Sequence, residues 1–218
     1  VAVQTAAAAS FAALLKKIDY LSVGDIDDIR RAYRFADEAH LGQMRKSGAP
    51  YITHPIAVAG LCADWKLDAQ ALMAALMHDV IEDSEYTRAD LNRLFGPRVA
   101  YIVEGLTKIQ GIFDMQTSMQ SENFRKLLVS ISDDVRVVLI KMADRLHNMR
   151  TLESMAHAKQ LKIASETMYI FAPLAHRMGL YAFKQEFEDL SLKYLEPDVY
   201  EELEEKLVRA EENDGAYL

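Results

Sequence analysis

Along nearly the whole chain, apolar residues recur at three- and four-residue spacing, and nowhere do they alternate long enough to make one face of a strand. That periodicity confines the fold to packed helices, because a 3.6-residue pattern gathers its apolar side chains on one side only in a helix. The spacing predicts helices over residues 10–20, 25–42, 54–64, 68–83, 87–95, 97–109, 121–131, 133–152, 157–172, 179–195 and 197–211. Local chemistry supports several of the ends. Pro55 and Pro97 suit first helical turns, where a missing N–H costs nothing, and Gly96 breaks the helix before Pro97. Ser132 or Asp133 can cap the long helix that follows. Ser47-Gly48-Ala49-Pro50 must be loop. Residues 110–120, with Gly111 among polar side chains, are predicted to form a mobile loop in which Ile112 and Phe113 need partial cover. The expected fold class is all-α, a helical bundle.

A chain of 218 residues can bury a substantial core. Its formal net charge of −8 argues against a generic nucleic-acid or anionic-membrane binder, since either needs a broad basic surface. A small anionic substrate remains compatible, because one metal ion and a few local cations can hold phosphates whatever the global charge. No stretch approaches the roughly 20 apolar residues of a membrane span, and the alanine-rich opening lacks the basic start of a signal peptide. The single Cys62, in the apolar run Val58 to Trp65, excludes an intramolecular disulfide and fits a buried thiol in a reducing compartment. The cytoplasm is the expected location.

The chemistry concentrates in three helical segments. In the helix predicted over 133–152, Val135, Val138, Leu139, Met142, Leu146 and Met149 fall on one side. Lys141, Asp144, His147, Asn148 and Thr151 fall on the other, so that cation, carboxylate, amide and hydroxyl share a stripe. In 68–83, Leu72, Leu76 and Val80 form the core stripe, and His78 stands beside Asp79 with Glu82 one turn on. His54 enters a helix between Pro50 and Pro55. Two imidazoles and two carboxylates, His54, His78, Asp79 and Asp144, can converge on one divalent metal. Ligands of this kind without thiolate suit Mn²⁺, Fe²⁺ or Zn²⁺, and six-coordination with open water positions would favour manganese. Glu82 is placed to orient or deprotonate a metal-bound water, with Asp83 to assist or to finish the helix. Arg45, Lys46 and Ser47 stand on the expected rim, where arginine can stack on a base or fork onto phosphate. His147 is close enough to Asp144 to support it. His40, His157 and His176 read as structural or surface residues.

Together, Arg45-Lys46-Ser47-Gly48, Tyr51-Ile52-Thr53-His54-Pro55, His78-Asp79-Val80-Ile81-Glu82-Asp83, Glu122-Asn123-Phe124-Arg125-Lys126 and Asp144-Arg145-Leu146-His147-Asn148-Met149-Arg150-Thr151 resemble the hydrolase domain of RelA/SpoT-type alarmone enzymes, of the HD phosphohydrolase superfamily. The likeness runs from about residue 25 to 200. It implies an HD-domain bundle that removes the 3′-pyrophosphate from guanosine tetra- or pentaphosphate with Mn²⁺, giving GDP or GTP and pyrophosphate. On matching positions it implies His54, His78, Asp79 and Asp144 as metal ligands and Glu82 and Asp83 as the pair that activates water. Arg45, Lys46, Ser47, Asn148 and Thr151 would hold the guanosine. Lys141 and Arg150 are added here for phosphate or framework roles. Ser84 stands where threonine is common in the family and keeps the hydroxyl.

The resemblance also implies an organisation: residues 1–24 as an N-terminal extension and first helix, 25–178 as the metal-dependent hydrolase domain, and 179–218 as a helical connector toward a synthetase domain. The parent would then carry both synthetase and hydrolase activities, with regulatory domains as further partners. Two alternatives remain at this stage: an HD phosphatase acting on another nucleotide, and a nucleotide-binding regulatory domain whose hydrolase is held off.

Overall fold

A computed structural model describes residues 2–114 and 134–214, with side chains described over 7–108 and 134–209. Among the described residues every regular element is a helix, apart from one isolated antiparallel bridge between Met44 and Pro50, so the all-α expectation holds. The chain divides into two compact units, Val1–His147 and Asn148–Leu218. No described helix is long and apolar enough to cross a membrane.

The first unit opens with α1 (Ala2–Lys17). The helix begins earlier than the periodicity predicts, because alanine has the strongest helix propensity and needs no stripe to coil. Its Phe11 stacks on Tyr33 with ring centroids 3.9 Å apart, and Lys17 reaches Asp64 at 2.9 Å. Next, α2 (Val23–Ala39) starts in a capping box, Ser22 and Asp25 each accepting from the other's backbone N–H. It buries Ile29, Ala32 and Ala36.

Two short helices form the centre, α3 (Thr53–Asp64) and α4 (Ala69–Leu76). Their sequences are apolar nearly all round, which is the pattern of a helix enclosed by others. Every residue of α4 except Gln70 is buried, and Cys62 of α3 is a fully buried free thiol. Around them lie α5 (Val80–Asp83), α6 (Arg88–Phe95), α7 (Pro97–Asp114) and α8 (Val135–Arg150). A second capping box, Thr87 with Asp90, starts α6, and Gly96 at φ +88° turns the chain into Pro97. Gly105 of α7 is a close-approach residue, since a Cβ there would lie 3.1 Å from a Val137 methyl.

Three expectations need correction. The stretch 68–83 is two helices, with a turn over residues 77–79 between them. The His78 imidazole takes the Ala75 carbonyl at 2.8 Å, the acceptor that the Asp79 N–H would use in an unbroken helix, so a side chain displaces a rung of the ladder. The loop expected from residue 110 begins no earlier than 115, because α7 continues to Asp114; one glycine inside a helix costs only about 1 kcal/mol. Residues 115–120 and the helix expected over 121–131 lie outside the described residues, as do Ser132 and Asp133. The third correction concerns Pro173, discussed with the second unit.

The N-terminus of α8 is held by Asp134. Its Oδ1 accepts the Arg136 N–H at 3.1 Å, while the Arg136 guanidinium forks onto both oxygens and extends to Asp68, the cap of α4, at 2.6 Å. Arg98 at the start of α7 adds a contact at 3.1 Å. Three helix N-termini therefore share one ion network.

The second unit follows α8 with a 3₁₀ turn (Leu152–Ser154), α9 (His157–Glu166), a π turn (Thr167–Phe171), α10 (Ala172–Arg177), α11 (Tyr181–Leu195) and α12 (Pro197–Asp214). Met149, Leu152 and Ala164 form a buried cluster, covered by Ile163, Leu190 and Tyr194. Phe183 and Phe171 meet Phe187 edge-on at 5.9 and 6.1 Å. The helix expected to stop at 172 runs to Arg177, through the π turn. Pro173 has no N–H, and its ring would crowd the carbonyl four residues back; the wider turn absorbs the misfit, with Thr167 bonding the Ile163 carbonyl at 2.7 Å.

The Arg136 bonds hold the buried Asp134 carboxyl below the usual carboxylate range. A carboxylate with a depressed folded-state pKa stabilises the fold above its unfolded value, near 4, and that stability drains away as pH falls through the folded value. Asp134→Asn should cost about 2 kcal/mol at pH 7 and flatten the acid limb of stability below pH 4, as measured by thermal melts across pH.

Candidate metal centre

His54 lies in the first turn of α3, His78 in the turn between α4 and α5, and Asp144 on α8. Each offers a ligating atom, and these three atoms lie within 4.8 Å of one another, all on buried residues. His54 Nε2 is 3.1 Å from Asp144 Oδ1, and His78 Nε2 is 3.9 Å from the same oxygen. Asp79 is not in that set of three but touches it, its Oδ2 lying 2.9 Å from His78 Nε2.

The outer nitrogens of both imidazoles are engaged. His78 Nδ1 donates to the Ala75 carbonyl, which leaves Nε2 as the ligating nitrogen. That Nε2 is buried and meets no hydrogen-bond partner of good geometry, although the Asp79 oxygen lies 2.9 Å away. A buried nitrogen facing two carboxylates without a hydrogen bond suits a bound cation. His54 Nδ1 meets His147 Nδ1 at 2.7 Å. A metal-ready His54 donates this proton to His147 and keeps the Nε2 lone pair. His147 thus supports His54, where the sequence suggested Asp144. His54, His78 and Asp144 fit a divalent metal by donor type, burial and proximity, with Asp79 half-buried against His78.

Electrostatics reinforce this. Burial pushes the His78 imidazole down, but Asp79 and Asp144 outweigh it and raise its pKa to about 9. Burial pushes Asp144 up, and Lys141 with the two histidines outweighs that, holding it well below the carboxylate range. Asp79 is likewise held low against burial, chiefly by His78. His54 is lowered by burial against the pull of Asp144.

The predicted polar stripe of α8 is largely buried at this site: Lys141 and Asp144 are 6% exposed each. Lys141 Nζ binds Asp144 Oδ2 at 2.7 Å, so this cation maintains the charge of the buried carboxylate. Glu82 and Asp83 sit on α5 with open side chains. Even so, the protein around Glu82, then the Asp79 charge, pushes its carboxyl up to about 7; Asp83 is raised by the same two causes. Ser84 finishes α5, its hydroxyl donating to the Val80 carbonyl at 2.6 Å.

Arg45, Lys46 and Ser47 lie on a turn closed by Arg45 N–H to Ala49 at 2.8 Å and Tyr51 N–H to Gln43 at 3.0 Å, with Gly48 at φ +82°. Lys46 and Ser47 are exposed and Arg45 is partly covered; the Arg45 charge is close enough to His54 to help lower it. Asn148 and Thr151 belong to the second unit, on the last turn of α8 and just beyond it. Arg150 pairs with Glu186 at 2.5 and 2.8 Å, a framework contact. His157 and His176 are exposed, while His40 is buried.

Sequence reasoning missed Tyr51. It is partly buried, and its hydroxyl donates to Asp79 Oδ2. Its place three residues before His54 was the available signal. A cavity of about 270 Å³ lies against Tyr51, lined also by Tyr33, Asp37, His40, Gln43 and Met44; none of the four predicted ligands lines it.

A family model described as HD domain matches residues 32–181, and the chain belongs to that family. It is 44% identical over 199 residues to a GTP pyrophosphokinase of Myxococcus xanthus, covering 89% of this chain and 26% of that protein. It is 48% identical over 195 residues to the bifunctional (p)ppGpp synthase/hydrolase SpoT of Escherichia coli, covering 89% of this chain and 28% of that protein. The chain therefore spans little more than a quarter of the length of these relatives. The solved structure of a metazoan ortholog of SpoT aligns at 25% identity and TM-score 0.49, over 79% of this chain and 87% of that one, too loose a superposition to carry an argument.

Removing a ligand should separate from removing a support. Asp144→Ala should abolish tight binding of Mn²⁺ or Zn²⁺ in calorimetric titration, and His147→Ala should weaken it about tenfold. Unchanged affinity in Asp144→Ala would place the metal elsewhere.

Proposed function

We propose that this chain is a metal-dependent 3′-pyrophosphohydrolase of guanosine tetra- and pentaphosphate, giving GDP or GTP and pyrophosphate, with Mn²⁺ as the cofactor. The observation that carries the reading is the convergence of His54, His78 and Asp144, with Asp79 against His78 and Glu82 raised to about 7 beside them. The motif order and the likeness to a (p)ppGpp synthase/hydrolase support the substrate. A parent that also makes the alarmone, through synthetase and regulatory domains beyond this chain, belongs to the same proposal, as does a cytoplasmic location.

His54, His78, Asp79 and Asp144 would hold the metal, which supplies Lewis acidity and eases deprotonation of water near neutral pH. Glu82, with a pKa near the working pH, accepts the proton of the attacking water. Attack at the phosphorus on the ribose 3′ oxygen breaks that P–O bond, and the 3′ oxygen leaves with a proton. Asp83 shares this proton traffic. Arg45 forks onto phosphate or stacks on the base, and Lys46 and Ser47 add a charge and a hydroxyl. Asn148 and Thr151 enter as guanosine-holding residues on the motif alone. Lys141 keeps Asp144 ionised, and its charge also helps offset the substrate phosphates. These few cations act locally, which reconciles a polyphosphate substrate with a chain of net charge −8.

The test is pyrophosphate release from guanosine tetraphosphate with added Mn²⁺. Release should vanish with a chelator and in Asp144→Ala, and Glu82→Gln should lower kcat by about 100-fold or more. Release that survives both the chelator and Asp144→Ala would overturn the metal reading. Arg45→Ala should raise KM more than it lowers kcat; an unchanged KM would count against guanosine polyphosphate as substrate.

A further inference from the structure

Tyr51 stands where two parts of the proposed site meet, yet neither part accounts for it. The turn before it carries Arg45, Lys46 and Ser47 and is closed at its base by the bond from Tyr51 N–H to Gln43. Both residues of that base reach the segment that follows α4. The Tyr51 hydroxyl donates to Asp79 Oδ2, and Gln43 Nε2 donates to the Asp83 carbonyl at 3.2 Å. The ring is fixed from two sides, by His40 at 4.6 Å and His54 at 6.0 Å between centroids. His40 is itself tied to the Gln43 amide at 3.0 Å.

We propose that Tyr51 is the positioning residue of Asp79, and that its hydroxyl couples the turn carrying Arg45, Lys46 and Ser47 to the metal-binding carboxylate. Asp79 sits in the three-residue turn between two helices and has no side-chain cap bond to fix it. A carboxylate on so short a segment needs an outside donor to select one rotamer, and a ligand held in one rotamer binds metal more tightly than a free one. Tyr51 supplies that donor from the element that would also feel the nucleotide. Asp79 Oδ2 both receives the hydroxyl and lies 2.9 Å from His78 Nε2.

The hydroxyl can be removed with the ring kept. Tyr51→Phe should melt near the wild-type temperature, because its contacts with His40 and His54 remain, while its dissociation constant for Mn²⁺ rises about tenfold. If Tyr51 acts through Asp79, adding Tyr51→Phe to an Asp79→Asn background should change metal affinity no further. An unchanged dissociation constant in the single variant, or an equal additional loss in the double one, would overturn the proposal. Only the kinetic arm rests on the hydrolase reading: at saturating Mn²⁺, kcat should fall in Tyr51→Phe with KM little changed. Should the wild-type chain release no pyrophosphate, the hydrolase reading fails, and the metal titrations still decide the role of Tyr51.

Discussion

The Asp144 carboxylate is the contact on which the first unit's chemistry depends. It is buried and charged, and each oxygen has its own partners: Oδ2 takes Lys141, while Oδ1 faces His54 and His78. A buried carboxylate without such partners costs several kcal/mol or gives up its charge. Here the partners come from α3, from the turn after α4 and from α8 itself, so the fold must bring three segments together before the charge can stay. At the far end of the same helix, Asp134 ties α8 to the starts of α4 and α7. One helix is thus fixed to its neighbours at its start and again at the site.

The break between α4 and α5 matters as much as the helices. In an unbroken helix, His78 and Asp79 would point about 100° apart. Spending the Ala75 carbonyl on the His78 side chain opens a turn in which His78 Nε2 and Asp79 Oδ2 come within 2.9 Å. The same bond fixes the ring with its second nitrogen inward. A lost backbone rung and an oriented ligand are one event, which is why the local irregularity sits at the chemistry.

Charge is arranged by distance and not by total. The chain is acidic overall, yet Lys141 and Arg45 act within reach of the ligands. The Asp79 and Asp144 carboxylates are held low by opposite charge, while Glu82 is pushed up by burial and then by the Asp79 charge. Asp79 and Asp144 on one side, and Glu82 and Asp83 on the other, are thereby given different protonation behaviour.

Much of this could be read from the sequence. The helical class followed from periodicity, because burial of an apolar stripe is a local requirement that every segment must meet. The metal-binding residue types were legible because His, Asp and Glu rarely cluster on helical stripes without a reason. The π turn at Pro173 and the extra turn of α7 were not, since each depends on whether neighbours tolerate a local cost. Lys141, expected in a phosphate or framework role, pairs with Asp144 one turn along its own helix, a spacing the sequence displays; His147 looked like a support for Asp144, and its bond to His54 needed the packing of α8 against α3. Tyr51 was invisible as anything but an aromatic near a histidine. The sequence alone determined the helical class and which side chains could do chemistry, because spacing along a helix is a property of the chain. Only the tertiary structure decided which nitrogen meets which oxygen, because those distances are set by helices that are remote in sequence and touch only when folded.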